Sequence, residues 1–144
     1  MGVYAMTGGA TGIGAELKRQ LIASGHEVIS VDIQAGDIVA DLSTGEGRQA
    51  AIDGIRARAH EGLDGFIPCA GLPPVAKPLS LIAQVNYFAV VATVEGLRDL
   101  LAKKRGTVLF VASNSAPMIA TDDAFVQACL AGDESGACAG IELR

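Results

Sequence analysis

Eight residues near the start, Thr7 to Gly14 (TGGATGIG), hold four glycines, and Asp32 stands eighteen residues beyond the last of them. Backbone this rich in glycine can approach a charged ligand closely. A helix opening at about Gly12 adds free N–H groups and the positive end of its dipole, the chemistry that holds a pyrophosphate. Two other phosphate patterns match less well. GxxxxGK[ST] would use Gly9 and Gly14, but Ala15 and Glu16 follow, with no lysine for the phosphates and no hydroxyl for magnesium. GxGxxG would use Gly12 and Gly14 and leaves Leu17 where its third glycine belongs. Asp32 can accept hydrogen bonds from the ribose hydroxyls of a dinucleotide and would repel a 2′-phosphate, so NAD is favoured over NADP. No lysine or arginine lies between Arg19 and Arg48 to reverse that preference. Asp41 and Leu42 are placed either to lie over adenine or, for Asp41, to cap the helix that follows.

These residues need a frame, and two hydrophobic periods supply one. Val3–Thr7 reads as a strand, followed by a helix carrying Ala15, Leu17, Leu21 and Ile22 and stopped at Gly25. A second strand (EVISVDI) ends near Asp32, and a third, very short one lies within 37–42. Only a few residues separate those two, too few for a crossover helix. Ser43 or Thr44 caps the next helix, whose inner side carries Ala51, Ile52, Ile55 and Ala59. The stretch DGFIPCAG is strand and turn. A long apolar helix follows over about 81–104, with Val85, Phe88, Val91, Val94 and Leu97 broadly inward and Tyr87, Val90 and Leu101 outward. GTVLFVA is a further strand, and residues 121–144 form a weakly patterned tail after a core ending near 120. Strands alternating with helices predict one α/β domain: a doubly wound parallel sheet of about five strands with helices on both faces. Ligands of such sheets bind beyond the carboxyl ends of the strands, where the glycine turn falls.

Composition removes other classes. Eleven basic against sixteen acidic residues, a formal net charge of −5, oppose nucleic-acid binding through phosphates. No basic leader with a cleavage site is found, and no window reads as eighteen apolar residues, so neither export nor membrane insertion is expected. Cys69, Cys129 and Cys138 are an odd number without paired spacing, and there are only two histidines. Reduced cytoplasmic thiols and no metal site are the reading.

Thr7-Gly8-x-x-x-Gly12-Ile13-Gly14 resembles the TGxxxGxG motif of the short-chain dehydrogenase/reductase family, and Asp41-Leu42, Cys69-Ala70-Gly71, Asn86 and the VAS ending at Ser113 fall in that family's order. The likeness covers nearly the whole chain, and GATGIGAE, ADLSTGEGRQAAI and VNYF look most like its bacterial hydroxysteroid and carbonyl-reducing branch. The resemblance implies a Rossmann-type fold and roles for individual residues. Gly8, Gly12, Ile13 and Gly14 would wrap the pyrophosphate. Asp32, with Ile33 beside it, would hold the ribose, Asp41 and Leu42 the adenine, and Cys69, Ala70 and Gly71 the nicotinamide side. Asn86 would hold a relay water, and Ser113, with Ser115 as the near alternative, would polarise the carbonyl or hydroxyl of a small alcohol or ketone substrate.

Two departures accompany the likeness. Pro68-Cys69 stands where the family usually has Asn-Asn, removing an amide that braces the central strands. The family's acid/base tyrosine, with a lysine four residues on, is missing: Tyr4 is followed by Gly8 and Tyr87 by Val91. The chain therefore reads as a cofactor-binding half without the family's last strands and inactive alone. Its GTVLFVA edge and outer helix residues would seek a partner in a homo-oligomer. A non-catalytic NAD-binding or dimerising module is the alternative.

Overall fold

The computed structural model describes residues 1–144. Five parallel strands form one sheet in the order β3-β2-β1-β4-β5. They are β1 Val3–Thr7, β2 Glu27–Asp32, β3 Ile38–Val39, β4 Gly65–Pro68 and β5 Thr107–Val108. The helices are α1 Gly12–Ala23, α2 Gly45–Arg58, α3 Ser80–Ala83, α4 Ala89–Lys104, α5 Ala124–Leu130 and α6 Glu134–Glu142. A π-helical turn, Gln84–Phe88, joins α3 to α4.

The faces of the sheet differ because successive strand residues point opposite ways. Ala5, Ile29, Val31 and Phe66 meet Ala51, Ile52 and Ile55 of α2 and Ala89, Leu97 and Leu100 of α4 in the main core. On the other face Met6 and Ser30 are buried, α1 lies there, and its Lys18 Nζ donates to Ser30 Oγ at 3.0 Å. Of α1 itself only Gly14 is buried, and Ile22 is exposed.

The short link between β2 and β3 has a simple geometry. Val31 pairs with Ile38 and Asp32 with Val39, so β3 meets β2 only at its carboxyl end. The chain never has to return to the start of the sheet, and no crossover helix is needed. Asp37 holds the loop down: its Oδ2 accepts from Ser30 N at 2.8 Å and from Ser30 Oγ at 3.0 Å.

The long helix corrects several expectations. Its buried residues after the π turn are Ala89, Thr93, Leu97, Leu100 and Leu101, while Val91 is exposed and Leu101, expected outside, is buried. A series with a constant spacing of three slips by about 60° per step at roughly 100° per residue, so it cannot stay on one face. The π turn also adds a residue and resets the phase. Ser80–Lys104 is 25 residues long, and its most apolar 18-residue window has mean hydropathy 1.3, enough by length and composition to cross a membrane. This corrects the expectation that no window qualifies, which came from counting unbroken apolar residues. In the fold the helix lies against the sheet.

Beyond β4 the outcome is mixed. The strand expected over 107–112 pairs only at Thr107 and Val108, plus Leu109 N donating to Phe66 O at 3.1 Å. Leu109, Phe110 and Val111 are exposed. The weakly patterned tail forms α5 and α6, capped by Asp123 and Asp133. Cys129 and Ala137 of these helices join Ala83 and Phe88 in a second, small core over the start of the long helix.

Candidate functional site

A cleft of about 490 Å³ opens beyond the carboxyl ends of β1, β2 and β4, a volume ordinary for a small-molecule site. All eleven residues marked for the cofactor line it: Gly8, Gly12, Ile13, Gly14, Asp32, Ile33, Asp41, Leu42, Cys69, Ala70 and Gly71. Leu72, Leu81, Val85 and Val111 add an apolar wall that the motif does not announce.

The floor is the glycine turn. Gly8 N donates to Val31 O at 2.8 Å, which locks the end of β1 to β2. A Cβ on Gly8 would stand 2.7 Å from the Ala70 backbone, and one on Gly14 would overlap the Gly8 carbonyl. Both glycines are therefore demanded by close approach of main chain. Gly12, at the first position of α1, has a positive φ of 58° and open space where a Cβ would stand, and Thr11, Gly12 and Ile13 bring the helix start to the cleft.

The acidic rim is built from local hydrogen bonds. Asp32 Oδ2 accepts from Ala10 N at 3.1 Å and Oδ1 from Gln34 N at 3.3 Å, tying the glycine turn to the end of β2. An ionised carboxylate still has acceptor positions left for a sugar hydroxyl. Asp41 Oδ1 accepts from Ser43 Oγ at 2.7 Å and Ser43 N at 3.0 Å, and these two bonds hold its carboxyl below the usual range. The cap of α2 is Thr44, whose Oγ1 accepts from Gly47 N at 3.0 Å, so Asp41 is left to the rim.

On the opposite side, Thr7 Oγ1 accepts from Ala70 N at 3.1 Å and Thr7 O from Cys69 N at 3.2 Å. A buried threonine thus braces β1 against the turn after β4, where Pro68-Cys69 supplies no side-chain amide. The signal for it was a hydroxyl at the end of an otherwise apolar strand. Burial pushes the Cys69 thiol up, which keeps it a neutral lining group. Asn86, in the π turn, accepts from Leu72 N at its Oδ1 (2.7 Å) and donates to Leu72 O from its Nδ2 (3.0 Å). It clasps the backbone of the wall at Leu72.

Ser113 stands apart. Its Oγ lies 2.7 Å from Ser115 Oγ, both residues are exposed, and neither lines the cleft, although Val111 does. Tyr4 stacks edge-on with His26, and Tyr87 packs against the small core, so no tyrosine reaches the cleft.

The short chain dehydrogenase family model matches residues 3–122. The chain belongs to the short-chain dehydrogenase family. It is 36% identical over 144 residues to a 3-alpha-hydroxysteroid dehydrogenase/carbonyl reductase of Comamonas testosteroni, covering 99% of this chain and 56% of that protein. With a coniferyl-alcohol dehydrogenase of Pseudomonas sp. it shares 38% identity over 91 residues, 59% of this chain and 34% of that one. A crystal structure of the 3-alpha-hydroxysteroid dehydrogenase from Pseudomonas sp. B-0831 complexed with NADH superposes with a TM-score of 0.94 at 40% identity, covering 98% of this chain and 56% of that one. The chain spans little more than half the length of the longest-matching of these relatives.

Proposed function

We propose that the cleft binds NAD(H) and that the chain is the dinucleotide-binding part of an oxidoreductase acting on a secondary alcohol or ketone, with a hydroxysteroid as the candidate substrate. The observation that carries this is the convergence of a glycine turn, an open helix N-terminus and Asp32 on one cleft at the carboxyl edge of the sheet. The donor set fits the group: main-chain N–H at the helix start for a pyrophosphate, a carboxylate for ribose hydroxyls, and Leu42 with Ala40 as an apolar seat for adenine. NAD(H) would supply the hydride chemistry. The chain's own residues bind and orient: Asp32 selects the unphosphorylated ribose, Thr7 and Asn86 hold the Ala70–Leu72 wall, and Ser113 is the substrate-polarising candidate.

The absence of a tyrosine at the cleft favours a second reading, in which these 144 residues bind dinucleotide without turnover, alone or paired through the exposed Leu109–Val111 edge. Titration with NADH and with NADPH, followed by nicotinamide fluorescence, tests the binding. Saturable NADH binding at least about tenfold tighter than NADPH is expected from the charge of Asp32. A flat NADH titration of folded protein rejects the proposal. Alcohol-dependent reduction of NAD by the same sample separates the two readings, and light scattering reports pairing.

A further inference from the structure

Arg48 sits in the first turn of α2, the end of a helix where the dipole disfavours a cation. Its side chain is nonetheless only 8% exposed. A buried guanidinium must find acceptors for its N–H groups, and this one does so on three separate elements. Its Nε donates to Leu42 O at 2.8 Å, and Nη2 donates to Ser43 O at 3.3 Å and to Gln84 O at 3.1 Å. A bidentate pair with Glu134 of α6 completes the set, Nη1 to Oε2 at 2.8 Å and Nη2 to Oε1 at 2.7 Å.

Those acceptors are not scattered. Leu42 and Ser43 line the cleft at its Asp41 side, and Val85, which follows Gln84, lines it as well. Glu134 opens α6, 86 residues away in sequence, and its carboxylate orients the guanidinium without itself lining the cleft. We infer that Arg48 is a positioning residue for the adenine end of the cleft, and that Glu134 makes the placement of the tail helix α6 a determinant of nucleotide affinity. This rests on the reading of the cleft as a dinucleotide site. Without the fork, the Leu42 and Ser43 carbonyls lose their common donor and the adenine wall is free to shift. The turn around Gly8 and Ala70 is held by other bonds and keeps its shape.

Glu134→Gln, Arg48→Lys and a control, Arg56→Met, test this. Arg56 makes an equally bidentate pair with Asp99, at 2.6 and 2.7 Å, on the outer surface between α2 and α4. AMP and reduced nicotinamide mononucleotide report the two ends of the cleft separately. Glu134→Gln and Arg48→Lys are both expected to weaken AMP by about 3- to 10-fold and leave the nicotinamide nucleotide within about twofold, while Arg56→Met moves neither. Equal weakening of both ligands, unchanged AMP, or an equal effect from Arg56→Met overturns the inference. Glu134 is a third exposed, so its variant decides the matter if Arg48→Lys does not fold. A wild-type protein that binds no NADH fails differently: it removes the dinucleotide reading, and this inference falls with it.

Discussion

The glycine-turn end and the Ser113 end of the chain's motif set are built in different ways. Between Gly8 and Leu72 the cleft lining is tied across strands and turns: Gly8 to Val31, Asp32 to Ala10, Cys69 and Ala70 to Thr7, Leu72 to Asn86. From Leu109 to Ser115, beyond the last strand residues, the side-chain hydroxyls of Ser113 and Ser115 bond only within that pair, their carbonyls accept from the next turn at Ala116 N and Met118 N, and Leu109, Phe110 and Val111 are exposed. The floor of the cleft is held by hydrogen bonds among β1, the end of β2 and the turn after β4. The Ser113 and Ser115 hydroxyls, by contrast, are exposed and carry no bond to any strand.

The sharpest way to break this contrast is Gly14→Val. Its Cβ would overlap the Gly8 carbonyl, so NADH affinity should fall by more than about 100-fold with a lowered melting temperature, read by titration and calorimetry. Retained affinity would show that the turn is loose after all. Thr7→Val keeps the shape and removes the acceptor of Ala70 N–H. A loss of about 1–3 kcal/mol in denaturant unfolding is expected, with weakened binding of the nicotinamide nucleotide. Asp37→Asn acts through pH. The Ser30 backbone N–H bond is the main cause holding the Asp37 carboxyl below its ordinary value. Its contribution to stability is thus full above the unfolded carboxylate value and lost as pH falls through the lower folded one. In the variant the acid limb of a stability–pH curve should flatten, and an unchanged limb would assign no such role to the loop. The smallest effect is expected for Ser113→Ala: NADH affinity of the 144-residue chain should stay within about twofold, since the hydroxyl stands outside the cleft. A larger change would place the segment on the cofactor.

The cleft lining was legible because local chemistry demands particular residues there: main chain approaching main chain requires Gly8 and Gly14, and the carboxylate of Asp32 at the end of β2 accepts from the glycine turn at Ala10 N. What escaped depended on distant partners or on helical phase. Thr7 stands in the motif, but its bracing bond shows only when Ala70 is brought beside it, and Arg48 looks like one more surface cation of α2 until α6 arrives. Val91 and Leu101 lie on the sides opposite to those their spacing predicts because a π turn that no composition marks shifts the phase. Residues 124–142 lack long apolar side chains at regular intervals, yet they fold as helices because aspartate caps and small residues let them seat against Ala83 and Phe88.

The single additional residue carried by Gln84–Phe88 works like a splice in a shaft. Ahead of it, Ala83 turns toward Cys129 and Ala137; behind it, Ala89 and Leu97 turn toward the sheet. Deleting one residue from the splice would rotate the front segment by about 100° against the rear and leave α5 and α6 without their seat while the sheet kept its own. The molecule thus carries two fittings on one axle, and its gearing, more than the strength of either fitting, decides whether they engage together.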